Sequence, residues 1–253
     1  MKARMNYSTL KEWIQEKHFS NQSVKAIQSC WLKQPSCVYL FENFLRPEKC
    51  DLLKNAAIRL ANWRHEMGIL KEGGDFTRNC DNKAWESATN SERFYSHYIL
   101  YPSKSSLISL KAEFPKEYET FQSFHSVFVF EKLFHEWIAD VLELPNLNSR
   151  GVEWARYAKG SFIQRHNDLY GGQIFGLNIY LESATNETSG GRLCFENEAG
   201  QSVKISCQLN SATLLPLREG CWHFVEEWKN TSDGRLTAAI AFTDSNYSEQ
   251  QIS

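Results

Sequence analysis

Residues 152–182 read VEWARYAKGSFIQRHNDLYGGQIFGLNIYLE, and this stretch decides the fold. Three runs rich in β-branched and aromatic residues, VEWARYA, SFIQRH and QIFGLNIYLE, are separated by the turn-forming KG and DLYGG. The pattern continues downstream, where RLCFEN, QSVKISC, SATLLPL, CWHFV and RLTAAIAF are separated by turns such as SATNETSGG, EAG and REG. Many short strands at close spacing predict a β-sandwich or barrel.

The first half of the chain has a different pattern and reads as helical with one strand. SCVYLFENFL at residues 36–45 predicts that short strand, and Pro47 then stands where the first turn of a helix accepts proline. Across residues 117–142 apolar side chains recur at helical spacing, which predicts a helix buried on one side. We interpret His125 and His135, which lie on this helix, as structural side chains.

Together these patterns predict an α+β protein in which helices cover one face of the barrel. No repeat or low-complexity linker divides the chain, so we expect a single domain over residues 1–253. Residues 1–148 should form its mainly helical part with one leading strand. Residues 149–245 should form the strand-rich core that carries the functional site.

Composition limits the partners. The chain has 253 residues, with 28 Lys and Arg against 30 Asp and Glu, and the formal charge of −2 gives no electrostatic footprint for nucleic acid or an anionic membrane. No apolar run resembles a signal peptide or reaches the length of a membrane span. We therefore expect a cytoplasmic protein that acts on a small molecule.

Its seven cysteines form no C-x-x-C pair, and we expect reduced, mostly buried thiols. The sequence leaves the oligomeric state open.

His166 and Asp168 stand two residues apart where the run SFIQRH ends. Side chains at this spacing on an extended chain point the same way, so an imidazole and a carboxylate can share a metal ion. His223 in CWHFV, the only histidine downstream of the pair, is the candidate third ligand. Two histidines and one carboxylate form the facial triad of non-haem Fe(II) oxygenases. An H-x-D pair often arises by chance, so its weight depends on the residues around it.

Two of the longer predicted strands have one polar face each. In RLTAAIAF, Arg235 and Thr237 share a face opposite apolar residues, and in QIFGLNIYLE, Asn178 and Tyr180 do the same. We predict that the apolar faces pack outward and that the polar faces surround a cavity. A barrel interior with imidazoles, a carboxylate, a guanidinium, a phenol and an amide would be costly without a ligand.

In their order along the chain, these residues resemble the prolyl-4-hydroxylase-like branch of the Fe(II)/2-oxoglutarate-dependent oxygenases. The matching segments are RYAKGSFIQRHND with Tyr157 and Gly160, then NIYLE, SGGRLCFEN, the WH of CWHFV and the GR of GRLTAAIAF. Upstream, VYLFENFLRPEKCDLL looks like the family's first strand and helix. The resemblance covers most of residues 38–244 and is strongest from Trp154 onward.

This resemblance implies a double-stranded β-helix, a jelly-roll or cupin-like barrel, with Fe(II) bound at one end. It implies that His166, Asp168 and His223 are the metal ligands and catalytic residues. It also implies that Arg235 pairs with the distal carboxylate of the cosubstrate 2-oxoglutarate. The candidate cosubstrate-binding residues are Arg235, Tyr180, Asn178, Tyr157 and Thr237. With O2, the implied reaction hydroxylates an unactivated C–H bond and releases succinate and CO2.

The primary substrate is the point at which the sequence is least informative. We favour a small amino-acid-like or natural-product molecule, and a prolyl or peptidyl hydroxylase acting on a polypeptide is the alternative. A cupin-like protein independent of 2-oxoglutarate, or a ligand-binding jelly roll without catalysis, also remains open, although cupins normally show an H-x-H pair. Candidate carboxylate anchors for the substrate are Arg64, Arg78 and Arg93. Trp222 and Trp228 are interpreted as packing residues.

Overall fold

The computed structural model describes residues 7–32, 37–144, 147–169, 172–182, 188–231 and 234–244. Its helices are α1 (Ser8–Lys11), α2 (Asn21–Leu32), α3 (Pro47–Arg59), α4 (Asn82–Ser87), α5 (Lys104–Glu113), α6 (Pro115–His125) and α7 (Leu133–Leu142), with a 3-10 turn at Glu16–Phe19 and a π-helical turn at Ser126–Phe130. Its strands are β1 (Tyr39–Phe41), β2 (Trp63–Leu70), β3 (Phe76–Thr77), β4 (Arg93–Leu100), β5 (Leu147–Ser149), β6 (Glu153–Tyr157), β7 (Phe162–His166), β8 (Gln173–Tyr180), β9 (Leu193–Glu196), β10 (Ser202–Ile205), β11 (Ser211–Pro216), β12 (Trp222–Val225) and β13 (Arg235–Asp244).

The described strands form one 13-stranded antiparallel sheet that folds at β4 into two layers, which we call the first and second sheets. The first has the order β1-β11-β8-β13-β6-β4, extended by β2 and β3, and the second has the order β7-β12-β9-β10. Strand β4 pairs with β6 through its second half and with β7 through its first half. Side chains from the two sheets pack together between them, as when Tyr180 of β8 meets Leu193 of β9 and Ile205 of β10. This alternation of successive strands between two sheets is a jelly roll.

The helices cover the outer face of the first sheet. The main hydrophobic core joins the apolar faces of β8 and β13 to buried residues of α2, α3, α6 and α7. In α3, Pro47 occupies the first turn, and Cys50, Leu53 and Ala57 are buried at helical spacing. The predicted outward packing of the apolar strand faces is therefore confirmed, and so is the α+β double-stranded β-helix with helices on one face.

Two expectations for the first half are wrong. Residues 117–142 do not form one helix, because α6 passes into a π-helical turn and Lys132 then adopts a left-handed backbone with φ of 57° before α7 begins. The first half also contains more than one strand, since β2, β3 and β4 follow β1. Strand β2 was hidden in the sequence because WRHEMGIL buries only Met67, Gly68 and Ile69 and so lacks regular alternation.

The cysteine prediction holds only in part. Cys30 at the end of α2 is joined to Cys37 by a disulfide, which corrects the expectation that every cysteine is reduced. The other five cysteines are thiols and all are buried, as expected of small apolar side chains. Within the described ranges, no helix is long and apolar enough to cross a membrane.

Candidate metal and cosubstrate site

The structure brings the three predicted metal ligands together. One ligand atom from each of His166, Asp168 and His223 lies within 4.8 Å of the other two. The Asp168 carboxylate is 3.6 Å from Nε2 of His166 through Oδ1 and 3.3 Å from Nε2 of His223 through Oδ2. The two imidazole rings have centroids 4.1 Å apart. Among the described residues, this is the one group of three or more His, Cys, Asp or Glu side chains able to hold a metal ion.

A β-bulge in β7 sets the direction of His166. His166 pairs with His223 and Ile163 pairs with Val225, so two residues of β7, Gln164 and Arg165, lie opposite a single residue of β12. Ile163 packs inside the barrel against Val225, and His166 also faces inward, three positions along. Both histidines consequently stand side by side on the inner face of the second sheet.

Hydrogen bonding and burial prepare this group for a cation. Nδ1 of His166 lies 2.7 Å from the carbonyl oxygen of Gln164, which leaves Nε2 directed toward Asp168. Burial, reinforced by His223, lowers the pKa of His166 to about 4, so its imidazole is neutral at pH 7. Burial alone would raise the pKa of Asp168, but the hydrogen bond from His223 and the nearby His166 and Arg78 bring it below its usual value. Neutral imidazoles and an ionised carboxylate are the protonation states that bind metal.

Arg235 is the first residue of β13 and is 3% exposed. Its Nε donates to Oγ1 of Thr237 at 3.2 Å, and its NH1 donates to the carbonyl oxygen of Gly191 at 2.9 Å. Its guanidinium carbon lies 4.7 Å from the ring centre of Tyr157 and 5.0 Å from that of Tyr180. None of the described carboxylates forms an ion pair with this guanidinium. A buried cation without an anionic partner is costly, so the arrangement calls for an anionic ligand.

The other predicted cosubstrate residues lie around Arg235. Tyr180 is fully buried, and its hydroxyl shares a hydrogen bond of 3.0 Å with Oγ1 of Thr213. Asn178 is half-buried and precedes Tyr180 by two positions on β8, and is thus on the same face. The roles assigned to Tyr157, Thr237, Tyr180 and Asn178 remain predictions, and the structure places all four on the same inner face of the first sheet as Arg235.

A polar row runs from Arg235 across the inner face of the first sheet. Arg235 pairs with Tyr157 on β6, the Tyr157 ring lies 5.7 Å from the ring of His97 on β4, and His97 pairs with Glu66 on β2. Sequence reasoning missed His97, Glu66 and also Glu153, which begins β6. The available signal was the polar residues within RFYSHYIL and WRHEMGIL, which resemble those of a solvated surface when each segment is read alone.

Two other arginines of the strand-rich half and the three candidate substrate anchors have different surroundings. Arg192 pairs with Glu226, with Nε 2.7 Å from Oε2, and Arg156 follows Trp154 on the helix-facing side of β6. Arg93 donates to the Trp85 carbonyl and lies over the Trp85 ring, outside the barrel. Arg64 lies over the Tyr101 ring. Arg78 is the one predicted substrate anchor whose charge acts on Asp168.

The two tryptophans near His223 fit the packing interpretation. Trp228 is fully buried and packs in one hydrophobic cluster with Tyr157 and Val225. Trp222 lies beneath the Arg165 guanidinium, whose carbon is 4.2 Å from its ring centre, on the outer face of the second sheet. Because Trp222 is adjacent to His223 on β12, its ring is directed to the face opposite the metal-ligating side chains.

No protein-family model and no curated protein matches the sequence. Solved structures do match the fold. A prolyl hydroxylase from Trichoplax adhaerens, in complex with a hypoxia inducible factor oxygen degradation domain peptide fragment, has a TM-score of 0.58 and 14% identity, covering 94% of this chain and 98% of its own. A 2OG-Fe(II) oxygenase family oxidoreductase from Burkholderia pseudomallei has a TM-score of 0.57 and 12% identity, with coverages of 91% and 95%.

The non-heme alpha ketoglutarate dependent epimerase SnoN from nogalamycin biosynthesis has a TM-score of 0.57 and 11% identity, covering 92% of this chain and 88% of its own. At such low identity the similarity is one of fold. The expectation drawn from the sequence resemblance is confirmed at that level: the chain has the double-stranded β-helix fold found in prolyl hydroxylases and other 2OG-Fe(II) oxygenases.

Proposed function

We propose that this protein is an Fe(II)- and 2-oxoglutarate-dependent dioxygenase. The observation that carries the proposal is the convergence of His166, Asp168 and His223 at one end of the barrel, with their ligand atoms within 4.8 Å of each other. Two imidazoles and one carboxylate on one side of a metal are the donor set typical of non-haem Fe(II) oxygenases. Three protein ligands leave coordination positions for small molecules.

The environment of Arg235 supports 2-oxoglutarate as cosubstrate. A planar guanidinium can bind a carboxylate through two parallel hydrogen bonds, and this one is buried without an acidic partner. The distal carboxylate of 2-oxoglutarate would supply that partner, with Tyr180 as a second hydrogen-bond donor. Thr237 would hold the guanidinium in place through its existing contact with Nε. Asn178 and Tyr157 would line the same compartment.

Bound iron, with 2-oxoglutarate and O2, would supply the oxidation, in which 2-oxoglutarate is converted to succinate and CO2. The protein contributes a neutral His166, an ionised Asp168 and a buried cationic anchor. It also excludes water from the cosubstrate, because Tyr180, Thr213 and Thr237 around the anchor are almost fully buried.

We propose a small amino-acid-like or natural-product molecule as the primary substrate and hydroxylation of an unactivated C–H bond as the outcome. The fold supports more than one alternative, because one structural neighbour is described in complex with a peptide and another as an epimerase. A polypeptide substrate is therefore the second candidate. The absence of an H-x-H pair at His166 argues against an ordinary cupin.

The decisive experiment is anaerobic binding of Fe(II) and 2-oxoglutarate, followed through the weak visible charge-transfer band of their chelate. We expect the band with the unmodified protein and its loss in His166→Ala and His223→Ala. His135→Leu, a change in the helical layer, serves as control and should keep the band. Succinate formation on admission of O2 should follow the same order. An undiminished band in both alanine variants would show that the metal site lies elsewhere.

A further inference from the structure

The disulfide joins two elements at the edge of the first sheet. Cys30 lies in the last turn of α2, Cys37 lies two residues before β1, and their Cα atoms are 5.7 Å apart. Strand β1 has three residues and pairs with β11 alone among the described strands, so it forms one end of the sheet. An edge strand this short makes few interstrand hydrogen bonds and opens easily. The disulfide is therefore an important attachment of the start of β1 to the helical layer.

The elements on either side of the disulfide have attachments of their own. After β1, the Asn210 side chain bonds both backbone groups of Leu45, and the Phe44 N–H donates to the Asn210 carbonyl oxygen. At the end of α2, Arg218 donates to the Trp31 carbonyl oxygen at 3.3 Å, and its guanidinium carbon lies 4.4 Å from the centre of the Trp31 ring. Breaking the disulfide would therefore leave α2 and the segment after β1 in place and would free chiefly the start of β1.

Val38, which follows Cys37, packs between the two layers at this edge. It is half-buried and contacts two hydrophobic clusters that each contain side chains from both layers. In one cluster Tyr180 of β8 meets side chains of β9 and β10, and in the other Leu215 of β11 meets Phe195 of β9. Val38 thus connects the first and second sheets where their described strands are not paired. Its position depends on Cys37, the residue beside it.

The cluster around Tyr180 borders the proposed cosubstrate compartment. The centre of the Tyr180 ring lies 5.0 Å from the guanidinium carbon of Arg235, and the Tyr180 hydroxyl shares a hydrogen bond with Thr213. Close packing on one side of a ring restricts its movement and excludes water. Loss of Val38 from this cluster would therefore loosen the wall of the compartment beside the cationic anchor.

The disulfide is also the part of the cysteine chemistry that a reductant can reach. Cys37 is half-buried, Cys30 is 8% exposed, and the five free cysteines are all buried. Thiol–disulfide exchange begins when a thiolate attacks one sulfur of the disulfide, so access to that sulfur controls the rate. Cys37 is the sulfur that an attacking thiolate meets first.

We propose that the Cys30–Cys37 disulfide is a redox switch that controls the affinity for 2-oxoglutarate. In the oxidised protein Val38 is held between the two layers and the cosubstrate compartment is closed at this edge. A dithiol reductant opens it: the S–S bond of the protein breaks, each cysteine sulfur gains an electron and a proton, and the two thiols of the reductant become a disulfide. An excess of a low-molecular-weight disulfide reverses the exchange. The proposal rests on the proposed function and adds regulation of the same site.

The test compares two forms of the complete chain. One is treated with oxidised glutathione, the other with dithiothreitol, and each reagent is removed under anaerobic conditions. Alkylation after denaturation, followed by mass spectrometry, should count five thiols in the oxidised form and all seven in the reduced form. Each form is loaded with Fe(II) and titrated with 2-oxoglutarate through the visible band. If the closed arrangement is only partly populated after reduction, the reduced form should bind 2-oxoglutarate about three- to ten-fold more weakly, and reoxidation should restore the affinity.

Substitutions assign the response to the disulfide and to Val38. The double variant Cys30→Ser with Cys37→Ser should show the weaker affinity of the reduced protein after either treatment. Val38→Ala in the oxidised form should weaken 2-oxoglutarate binding by about two- to five-fold, because the smaller side chain leaves a gap between the layers. Leu40→Ala, at a position of β1 that is 38% exposed, is the matched control and should keep the affinity of the unmodified protein. Cys80→Ala removes a free thiol and should keep the full redox response.

The outcomes separate this proposal from the proposed function. A normal Fe(II)–2-oxoglutarate band with equal affinity in the two forms, or a response that the double serine variant retains, overturns the switch and leaves the oxygenase proposal standing. Seven alkylated thiols after treatment with oxidised glutathione also overturn it. Loss of Fe(II) binding on reduction, together with a lowered unfolding midpoint, would show a structural role for the disulfide and would overturn the switch as well.

Absence of the band in both forms counts against the oxygenase proposal. The affinity for 2-oxoglutarate is then measured by calorimetry on the metal-free protein in each form. Weaker binding by the reduced form would still support the switch, whereas equal binding, or no binding by either form, would overturn it.

Discussion

Arg235 and Tyr157 are paired across β13 and β6, and the guanidinium carbon of Arg235 lies 4.7 Å from the centre of the Tyr157 ring. The ring covers one side of a cation that has no acidic partner among the described residues. Its attraction stabilises the charge only modestly, because a cation–π contact contributes about 0.5 to 2 kcal/mol. Most of the compensation for burying Arg235 is therefore expected to come from a bound anion.

Replacing Arg235 should weaken cosubstrate binding selectively. We expect Arg235→Ala to raise the 2-oxoglutarate concentration needed for half-maximal succinate formation by roughly ten- to a thousand-fold, the equivalent of about 1.5 to 4 kcal/mol for a lost charge-assisted contact. Arg235→Lys should need a 2-oxoglutarate concentration between those of Arg235→Ala and the unmodified protein, because lysine keeps the charge and loses the paired donors. Fe(II) binding should survive in both. A normal cosubstrate requirement with weakened substrate binding would instead make Arg235 a substrate residue.

Gly191 should tolerate no side chain. It has φ of +69°, and an added Cβ would lie 2.5 Å from the ring of the buried Trp228, while its carbonyl oxygen accepts the hydrogen bond from Arg235. Gly191→Ala should therefore lower the free energy of unfolding by about 2 to 4 kcal/mol, from backbone strain and overpacking together. Gly200→Ala, at φ +73° with nothing within 4 Å of the new atom, isolates the backbone component. It should cost only about 1 to 2 kcal/mol in urea unfolding.

Equal losses of stability in the two glycine variants would show that the Trp228 ring moves aside at little cost. In that case Gly191→Ala should also leave the affinity for 2-oxoglutarate unchanged. The expected result is weaker cosubstrate binding in Gly191→Ala alone, because displacement of the Gly191 carbonyl removes one of the two contacts that orient Arg235.

Asn210 joins the segment after β1 to the barrel. Its side chain accepts from the Leu45 N–H at 2.9 Å and donates to the Leu45 carbonyl at 2.8 Å, and its own backbone has φ of 59°. Asn210→Ala should cost about 2 to 4 kcal/mol, because two buried backbone groups lose their partners. Asn210→Gly removes the same bonds but accepts the left-handed backbone, so it should be the less destabilised of the two in urea unfolding. Equal stability of Asn210→Ala and the unmodified protein would contradict this assignment.

His135 should make the protein sensitive to acid. It is 2% exposed, neither ring nitrogen has a hydrogen-bond partner, and burial, with a smaller effect of Lys132, lowers its pKa to about 4. Between pH 6.5 and 4 the unfolded chain binds a proton that the folded protein does not, so stability is retained above pH 6.5 and falls below it. The full difference corresponds to about 3 kcal/mol.

The measurement is urea unfolding of the metal-free protein at several pH values between 7.5 and 4.5. His135→Leu should lose less stability on acidification than the unmodified protein, by up to about 3 kcal/mol at the lowest pH. Other buried histidines, including His97 and His125, leave a remaining pH dependence in both proteins. Parallel stability curves for the two proteins would show that His135 does not titrate across this range.

The second half of the chain was predictable from its sequence because turns and alternation are regular there. Every predicted strand from VEWARYA to RLTAAIAF is present, and the outward apolar face of β13 follows from simple alternation. The metal ligands could be identified because His166 and Asp168 are neighbours in sequence and because His223 had no competitor downstream. Proximity of His223 to the pair still depended on the fold resemblance.

The first half was less predictable for two physical reasons. Strands β2 and β4 carry polar side chains on the inner face of the first sheet, so their sequences resemble those of strands on a solvated surface. The break between α6 and α7 arises at Lys132, a residue with no intrinsic preference for a left-handed backbone. The positions of His97 beside Tyr157 and of Glu66 beside His97 could therefore be recognised only from the strand pairing.

The extra residue in β7 gives the two metal-bearing strands unequal tolerance to deletion. Removing Gln164 would shorten β7 to the length that β12 requires, and Ile163 and His166 would remain opposite Val225 and His223. The carbonyl of Ile163 would then stand two residues before His166, in the place of the Gln164 carbonyl. Removing Phe224 would leave His223 directly adjacent to Val225, and side chains at adjacent positions of a strand point to opposite faces. In a library of single-residue deletions, variants shortened at the bulge of β7 should retain metal binding, and variants shortened at the facing position of β12 should lose it. The bulge is therefore a position where the length of the chain can vary beside a metal site whose other residues are fixed.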